Sequence, residues 1–378
     1  MIETLLRIIL HVFWIFPIKN KDVVLTSFNG RLYSCNPKYL AEGLNKTGEF
    51  NIYFAFRKNI DVKLPDGIKP LRYKSLIHFY RLMTSRYIVV NSAGLMHWLP
   101  YRKSQVFINT WHGAGSFKAT GVKAFTSKKD VRKRKISGEN TTFFLSSSKQ
   151  FTEDQYESML VDKDKFLPTG LPRNDIFFEY HPDIIEKVKS YFNIDASKKI
   201  ILYAPTYRDG PLKSITGYGF TPMDVTGVID ACNKRFNCEY VFLFKAHHDM
   251  LDENLNNACI NASNYPDTQE LLYAADLLIS DYSSIQWDFA LQEKPGFLYS
   301  PDVETYMHIH PFATDYHEWP YTTAQSNEEL INQIQTYDEK VGVERIREYF
   351  KKMGSYEAGH AIERTLRQAF GLTNIKHG

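Results

Sequence analysis

The chain has 378 residues, of which 43% are hydrophobic and 24% charged, and its formal net charge is +3. This composition excludes a disordered chain, and so small a net charge does not by itself indicate nucleic-acid binding. Because one hydrophobic core rarely grows beyond about 250–300 residues, the length predicts two domains.

Residues 1–20 predict a short amphipathic helix. Arg7 and His11 interrupt its apolar run and Pro17 ends it, so it is shorter than the ~20 apolar residues that span a bilayer. Together with Glu3, Arg7 and His11 form one polar stripe on an otherwise apolar helix. A helix in the membrane interface and a helix docked on the protein or on a partner both fit this pattern. The absence of a small-residue cleavage site in the sequence disfavours a secretory signal.

Beyond residue 21, short apolar runs alternate with amphipathic stretches. The first series predicts strands at 22–27, 51–56, 87–91, 106–110, 141–145 and 165–168, and helices at 36–44, 75–83 and 149–160. After a helix at 182–192, the second series predicts strands at 200–204, 239–245, 277–280 and 296–299, and helices at 222–235, 268–274 and 284–292. The tail from 327 to 368 is predicted to be helical. Alternating strands and helices are typical of parallel sheets.

These two series predict an α/β fold of two Rossmann-like lobes that face a cleft. Residues 1–20 are assigned to the amphipathic helix, 21–175 to an N-terminal lobe, 176–325 to a C-terminal lobe and 326–378 to C-terminal helices. Ligands of open parallel sheets bind beyond the carboxyl ends of the strands. Polar residues that follow the predicted strands are therefore the candidates for a functional site.

Two histidines follow predicted strands. His112 is flanked by Gly113 and Gly115, which allow a close approach of the backbone to a ligand, and a neutral histidine can take a proton from a hydroxyl group. His247 follows Lys245, and both side chains would lie on one face of the strand end, where they could neutralise phosphate charge. Taken singly, each histidine also fits a packed structural role.

Arg208, Asp281, Ser283 and Ser284 predict a phosphate site. The two serines open a helix after a strand, where free N–H groups and the helix dipole favour anions. Serine and aspartate are also ordinary helix N-caps, so a plain capping role stays open. Arg208 follows another strand, and its guanidinium suits phosphate, with a salt bridge to Asp209 or another neighbour as the alternative.

Two further polar segments have several interpretations. Arg173, Asn174 and Asp175 fit either substrate contacts or a polar turn that caps a helix. The run KKDVRKRK at 128–135 fits a solvated loop, an anionic membrane surface or nucleic acid. Because no aromatic residue is interleaved for base stacking, anionic lipid is favoured over nucleic acid.

The sequence predicts no metal and no cofactor. Its four cysteines form no CxxC pair, and their spacing suits neither a zinc site nor a disulfide framework. Free or buried thiols in a reducing cytosol are the simpler interpretation. The sequence contains no Walker loop, GxGxxG, HExxH or GxSxG motif, and no carboxylate-rich metal spacing.

Six motifs occur in an order that resembles one known family. They are TSFNG at 26–30 followed by Tyr33, Asn36 and Pro37, NTWHGAGSFK at 109–118, GLPRND at 170–175, LYAPTYR at 202–208, KAH at 245–247 and SDYSS at 280–284. The ordered set, from about residue 22 to 320, resembles the CDP-glycerol glycerophosphotransferases, the enzymes of teichoic acid and related polymer synthesis.

The resemblance implies a GT-B-like fold, with an acceptor lobe at 21–175 and a donor lobe at 176–325. It implies an enzyme that moves glycerol 3-phosphate from CDP-glycerol to a hydroxyl of a polyprenyl-linked glycan or teichoic acid-like polymer and releases CMP. His112 would be the base, and His247 would stabilise the donor pyrophosphate. The two histidines would form the walls of one cleft. The predicted donor-phosphate contacts are Arg208, Lys245, Asp281, Ser283 and Ser284.

The expected partners follow from this resemblance. They are CDP-glycerol, a polyprenyl-linked acceptor and the cytoplasmic face of the cell membrane, bound peripherally; no nucleic acid is expected, and an oligomer stays open.

The family's WHGTPLK reads WHGAGSFK here, which fits a different acceptor, and the absence of an RGFY-like stretch before Asp315 weakens a role for that residue. The alternatives are a CDP-ribitol ribitolphosphotransferase, a GT-B nucleotide-sugar glycosyltransferase and a non-catalytic membrane or nucleic-acid binding protein.

Overall fold

The structure, a computed structural model, describes residues 2–58, 60, 62–92, 97, 99–124, 127–206, 208, 223–246 and 258–373, with side chains from Leu6 onward. The contacts divide the chain into two compact units. The first unit holds Met1–His112, Thr120–Asp175 and Ser355–Gly378, and the second holds Gly113–Ala119 and Ile176–Gly354. One division falls after Asp175, where the sequence places the boundary between its lobes.

The first unit is built on a seven-stranded parallel sheet of order β3-β2-β1-β4-β5-β6-β7 within the described ranges. Its strands are β1 (Lys19–Thr26), β2 (Asn51–Phe56), β3 (Ile68–Arg72), β4 (Ser85–Val90), β5 (Val106–Asn109), β6 (Phe143–Leu145) and β7 (Phe166–Leu167). Its α-helices span Ile2–Leu10, Cys35–Thr47, Leu76–Thr84, Gly121–Ala124, Lys128–Asn140, Lys149–Met159 and Ala361–Phe370. Consecutive residues Val23, Val24 and Leu25 of β1 are all buried, as in a parallel sheet covered on both faces.

The second unit has a six-stranded parallel sheet of order β10-β9-β8-β11-β12-β13 among the residues described. Its strands are β8 (Lys199–Tyr203), β9 (Tyr240–Phe244), β10 (Cys259–Asn261), β11 (Leu277–Ser280), β12 (Gly296–Tyr299) and β13 (Thr322–Ala324). Its α-helices span Pro182–Tyr191, Val225–Phe236, Thr268–Ala274, Ile285–Ala290, Val303–Ile309, Asn327–Gln335 and Glu339–Met353. Ile201, Phe242 and Ile279 lie at the centre of its core.

The six strands β3-β2-β1-β4-β5-β6 of the first sheet follow the same order as the six strands of the second, and in each sheet the direction of progression reverses once. The reversal lies between β1 and β4 in the first unit and between β8 and β11 in the second. A sheet of this kind has a crevice beyond the carboxyl ends of the strands at the reversal. The predicted α/β fold with two Rossmann-like parallel sheets is confirmed.

The N-terminal helix docks through part of its apolar surface and leaves the rest exposed. It continues from Ile2–Leu10 into a 3-10 turn at His11–Ile15. Leu10 is buried in the core of the first unit and Phe13 packs against that core. Other apolar side chains of this region are exposed: Ile8, Ile9, Val12 and Ile15. Within the described part of the chain, no helix is both long enough and apolar enough to cross a bilayer.

Among the described residues, the sequence patterns predict the edge strand β7 but not the other three edge strands, β3, β10 and β13. Edge strands are short and need little burial, so their apolar signal is weak. In β3 only Ile68 and Leu71 are buried, and Pro70 is tolerated because an edge strand does not need every N–H group. The basic run at 128–135, which has a solvated loop among its interpretations, is instead the start of the Lys128–Asn140 helix.

The segment 326–378 is helical, as predicted, but it is not a unit of its own. Its first two helices belong to the second unit and Ala361–Phe370 belongs to the first. Asp175 explains this assignment, because its carboxylate accepts hydrogen bonds from the N–H groups of Ala361 and Ile362, each at 2.8 Å. Gly43 leaves room for the side chain of Ile362, which a Cβ atom there would approach to 2.5 Å.

Asp175 should give the first unit a pH-dependent stability. Burial raises the pKa of its carboxyl group from 3.8 to about 6, against the opposing effect of the N–H groups of Ile362 and Ala361. The folded chain therefore holds this proton more tightly than the unfolded chain, and its contribution to the free energy of unfolding is lost as the pH rises from about 4 to about 6. We expect Asp175→Asn to remove this decline, as measured by urea unfolding across that pH range.

Asp66→Asn is the matched control, because Asp66 is exposed in the same unit. This variant should keep the pH dependence of the wild type. A wild-type slope in Asp175→Asn would show that Asp175 is not its source.

Candidate active site

His112 lies beyond the carboxyl end of β5 and is exposed. Its Nδ1 is 2.7 Å from the carbonyl oxygen of Asn91, the residue after β4. Because a carbonyl oxygen only accepts hydrogen bonds, Nδ1 must donate, and the basic lone pair of the neutral ring is then on Nε2. The centroid of the His112 ring lies 4.5 Å from that of the Trp111 ring and 5.7 Å from that of the Phe28 ring, which it meets edge-on. Orientation and tautomer are therefore both set by its surroundings.

The loop before His112 is strained and is held by two buried amides. Trp111 has a φ of 52°, in the left-handed region that bulky residues rarely adopt. Asn109 Oδ1 accepts from the N–H of Trp111 at 3.0 Å. Asn36 Nδ2 donates to the carbonyl oxygens of Thr110 and Trp111, both at 3.1 Å, and its Oδ1 accepts from the N–H of Arg173 at 3.1 Å. The Asn36 amide thus joins two of the motifs noted in the sequence.

Arg173, Asn174 and Asp175 were expected either to contact substrate or to form a capping turn. Arg173 is buried, and its Nη1 donates to the carbonyl oxygen of His112 at 2.7 Å. Asn174 is also buried and donates to Glu357 at 3.0 Å. With Asp175 bound to the last helix, these three side chains have partners inside the first unit. Their placement favours the capping turn, and Arg173 also supports the loop that carries His112.

Gly113 and Gly115 belong to the second unit, where the chain packs tightly. Gly115 has a φ of 75°, and a Cβ atom there would lie 2.7 Å from the ring of Trp287. Further along, the carbonyl oxygen of Phe117 accepts from the N–H of Ala313 at 3.0 Å. Gly115 therefore serves close packing, and ligand contact at both glycines stays a prediction.

Polar residues follow four neighbouring strands of the second sheet. Thr206 and Arg208 follow β8, Lys245 follows β9, Asp281 follows β11 and Asp302 follows β12. Because these strands adjoin in the order β9-β8-β11-β12, their carboxyl ends lie along one edge, with the β8–β11 reversal in the middle. The structure thus brings the predicted phosphate-site residues of the described chain to one edge.

Arg208 is fully buried between two carboxylates. Its Nη1 is 2.7 Å from Asp281 Oδ2, its Nε is 2.7 Å from Asp302 Oδ2 and its Nη2 is 3.0 Å from Asp302 Oδ1. Burial would lower the pKa of Arg208, but the two carboxylates outweigh it and raise the pKa. Burial would raise the pKa of Asp302, but hydrogen bonds from Arg208 and Tyr282 hold it below its ordinary value. Arg208 and Asp302 therefore stay ionised at neutral pH.

Two stacked tyrosines cover this ion cluster. The rings of Tyr282 and Tyr306 lie 3.9 Å apart, and the guanidinium carbon of Arg208 lies 5.0 and 5.2 Å from their centroids. Tyr282 Oη donates to Asp302 at 2.8 Å. Asp302 and both tyrosines are site residues beyond those predicted from the sequence. A signal existed for Asp302, which follows the strand predicted at 296–299 much as Asp281 follows the one at 277–280.

The carboxylate of Asp281 accepts hydrogen bonds from the donors nearest the β8–β11 reversal. It accepts from the N–H of Thr206 at 2.9 Å, from Thr206 Oγ1 at 2.7 Å and from the N–H of Tyr282 at 2.5 Å. An incoming phosphate would have to compete with a fully buried carboxylate for these groups. Side chains further from Asp281 can therefore contact a phosphate directly more easily than those that bind its carboxylate.

Lys245, Ser283 and Ser284 are the predicted phosphate contacts that are only partly buried. Lys245 Nζ donates to the carbonyl oxygens of Ser263 and Tyr265 at 2.9 and 3.0 Å. Burial lowers the pKa of Lys245 to about 8, so it is mostly protonated at neutral pH. The two serines precede the Ile285–Ala290 helix, with Ser284 at its N-cap position.

His247 lies outside the described residues, so its role and its distance from His112 stay predictions. Within the described ranges, no group of three or more His, Cys, Asp or Glu side chains could hold a metal ion.

Comparisons with known proteins identify relatives along nearly the whole chain. The family model described as CDP-glycerol:poly(glycerophosphate) glycerophosphotransferase matches residues 8–371. A teichoic acid poly(glycerol phosphate) polymerase of Bacillus subtilis is 29% identical over 94% of this chain and 49% of its own, and one of Staphylococcus epidermidis is 28% identical over 86% and 47%. The chain spans about half the length of these curated relatives. A variant of the wall teichoic acid polymerase TagF has the same fold, with a TM-score of 0.81 at 22% identity over 96% of this chain and 94% of that chain.

Removal of Arg208 would leave two buried carboxylates without their cation. We expect Arg208→Ala to lower the free energy of unfolding of the second unit by about 3–5 kcal/mol, the usual cost of breaking a buried ion pair from one side. Denaturant unfolding followed by tryptophan fluorescence measures this, because Trp287 and Trp319 are buried in the same unit.

Arg347→Ala is the matched control. Arg347 pairs with Glu293 in the same unit at 2.7 Å, but the arginine is exposed. Solvent screens such a pair, so little change is expected. Equal losses in the two variants would contradict the argument from burial.

Proposed function

The chain belongs to the CDP-glycerol:poly(glycerophosphate) glycerophosphotransferase family, and we propose that it transfers glycerol 3-phosphate from CDP-glycerol to a hydroxyl of a polyprenyl-linked glycan or a teichoic acid-like polymer. CMP is the other product. The observation that carries the proposal is the exposed and oriented imidazole of His112 in a chain that matches the family over residues 8–371. The relatives named as teichoic acid polymerases support a polymer hydroxyl as the acceptor.

His112 acts as the general base in this reaction. Its Nε2 takes the proton of the acceptor hydroxyl while the hydroxyl oxygen attacks the phosphorus that bears glycerol. The new P–O bond forms, the phosphoanhydride bond breaks, and its electron pair leaves on the phosphate oxygen of CMP. The hydrogen bond from Nδ1 to the carbonyl oxygen of Asn91 supports the imidazolium that results.

Side chains of the second unit stabilise the negative charge of the donor. The partial exposure of Lys245, Ser283 and Ser284 supports direct phosphate contacts for these three. Complete burial of Arg208 and Asp281 supports an indirect role, in which they fix the strand ends that carry the other donors. His247 is assigned to the pyrophosphate by its motif alone.

The direct test is CMP release from CDP-glycerol in the presence of a synthetic lipid-linked disaccharide, with the product identified by mass spectrometry. His112→Ala should lower kcat by about 10²–10⁴-fold, the range for loss of a general base. CDP-glycerol binding, measured by calorimetry, should be unchanged. Turnover at the wild-type rate would rule out His112 as the base.

His308→Ala is the matched control, since His308 is an exposed histidine on the Val303–Ile309 helix, and it should turn over normally. CDP-ribitol and UDP-sugars serve as competing donors. Turnover of CDP-ribitol alone would make ribitol phosphate the transferred group. Tight binding of a UDP-sugar without binding of CDP-glycerol would replace the proposal with a glycosyltransferase.

We further propose that the first unit docks peripherally on the cytoplasmic face of the cell membrane, where a lipid-linked acceptor lies. Exposed apolar side chains occur on both N-terminal helical turns and at the start of the Leu76–Thr84 helix, namely Ile8, Ile9, Val12, Ile15, Leu76 and Ile77. The ring centroids of Phe13 and Phe16 lie 5.9 and 5.3 Å from that of Tyr80, so the N-terminal helical segment adjoins the Leu76–Thr84 helix. Lys19 also lies over the Tyr80 ring, and an apolar surface flanked by cations fits an anionic bilayer.

Ile15→Asp combined with Ile77→Asp tests this surface. These side chains are 76% and 63% exposed, so folding should tolerate both changes. Insertion of one isoleucine contributes about 1.5–3 kcal/mol, and the double variant should therefore bind vesicles containing phosphatidylglycerol at least about tenfold more weakly. Sedimentation with vesicles measures the bound fraction.

Val341→Asp is the control, because Val341 is 67% exposed but belongs to the second unit. Its vesicle binding should match that of the wild type. If the double variant binds equally well, the membrane surface lies elsewhere.

A further inference from the structure

A small internal cavity lies in the first unit beside β1 and β4. Its volume is about 10 Å³, which is room for about one water molecule. The polar residues that line it are Thr26, Asn29, Tyr73, His78, Ser92 and Tyr101. No lysine, arginine, aspartate or glutamate occurs in the described lining, so a guest of this cavity must be neutral.

His78 presents a buried donor to the cavity. Its side chain is fully buried on the Leu76–Thr84 helix, and its Nδ1 lies 2.9 Å from the backbone nitrogen of Lys74. Because that N–H group donates, Nδ1 accepts, and the hydrogen of the neutral ring is on Nε2. Burial lowers the pKa of His78 to about 4, which keeps the ring neutral at physiological pH. Nε2 has no hydrogen-bond partner among the described residues.

Ser92 supplies a second polar atom to the same cavity. Its Oγ is buried and, within the described chain, also has no hydrogen-bond partner. The Nε2–H group of His78 can only donate, whereas a serine hydroxyl can donate or accept. One water molecule would fit the volume and could bond to both atoms, which otherwise bear their full desolvation penalty.

The segment that carries Ser92 also holds His112. Ser92 directly follows Asn91, whose carbonyl oxygen accepts from His112 Nδ1. The Asn91 side chain is bound in turn by the residues after β1, since its Nδ2 donates to Ser27 Oγ at 3.1 Å and its Oδ1 accepts from the N–H of Phe28 at 2.8 Å. A restraint on Ser92 is therefore a restraint on the carbonyl group that orients the imidazole.

We propose that this cavity is a built site for one buried water molecule, held by His78 Nε2–H and the hydroxyl of Ser92, and that His78 acts through this water as a positioning residue for His112. The water site depends only on the two orphaned polar atoms. The positioning step rests on the proposed function of His112 as a base. Loss of the water frees Ser92, loosens the bond from Nδ1 to Asn91 and leaves the tautomer of His112 less defined.

High-resolution crystal structures of the full chain test the water site. In the wild type we expect density for an ordered water within hydrogen-bond distance of His78 Nε2 and Ser92 Oγ. His78→Phe should abolish it, and Ser92→Ala, which serves if His78→Phe does not fold, should weaken it. A wild-type cavity without such density would falsify the proposal.

Nitrogen-15 NMR of His112 and steady-state kinetics test the positioning step. His78→Phe should convert the Nδ1–H form into a mixture of tautomers and lower kcat by about tenfold, with the KM for CDP-glycerol changed less than about twofold. Ser85→Ala is the matched control, since Ser85 Oγ is a buried hydroxyl without a partner in the described chain that does not line the cavity. A wild-type tautomer and kcat in His78→Phe would refute the positioning role.

The proposed function and the inference about His78 would be contradicted by different results. If the wild type releases no CMP from CDP-glycerol, the proposed function fails, while the crystallographic water and the His112 tautomer still report on the cavity. If the wild type turns over but its cavity is dry, only the inference about His78 is overturned.

Discussion

The parallel direction of the strands is the constraint on which the rest of the structure depends. In each sheet the described strand pairs are parallel, so the residues that follow them gather at one edge. The reversals at β1–β4 and β8–β11 open that edge at one place in each unit. Asn91, which anchors His112, follows β4, while Arg208 and Asp281 follow β8 and β11. Both sets of candidate site residues are therefore consequences of one connectivity.

The two units use this edge in opposite electrostatic ways. In the first, the amides of Asn36 and Asn109 hold a strained backbone, and a carbonyl group of Asn91 orients the imidazole. A neutral anchor lets the ring gain and lose a proton without breaking an ion pair. In the second, Arg208 is buried between two carboxylates, which raise its pKa and keep it charged. The proposed proton acceptor and the buried ion cluster are therefore held by different kinds of partner.

Local patterns account for most of the fold and for part of the site. Central strands such as β8 and β11 are predicted well because burial on both faces requires continuous apolar runs, whereas the edge strands β3, β10 and β13 carry weak signals. His112 is recognisable because its motif combines a histidine with two glycines after a strand. The place of Asp302 and Tyr306 in the ion cluster was not predicted. Asp302 follows a predicted strand, as Asp281 does, but the local sequence does not show that either residue lies beside Arg208.

The sequence by itself determined the α/β class, the two parallel sheets, the family and the polar residues that follow the strands. Only the tertiary structure decided which of those residues are available to a ligand and which are consumed inside the protein. Arg173 and Arg208 show the reason, since the sequence offers both as possible ligand contacts, yet both are buried. The carbonyl group that binds Arg173 is 61 residues away along the chain, and the carboxylate of Asp302 is 94 residues from Arg208. A hydrogen bond is decided by proximity in space, and proximity at these separations is set by the fold rather than by neighbouring residues.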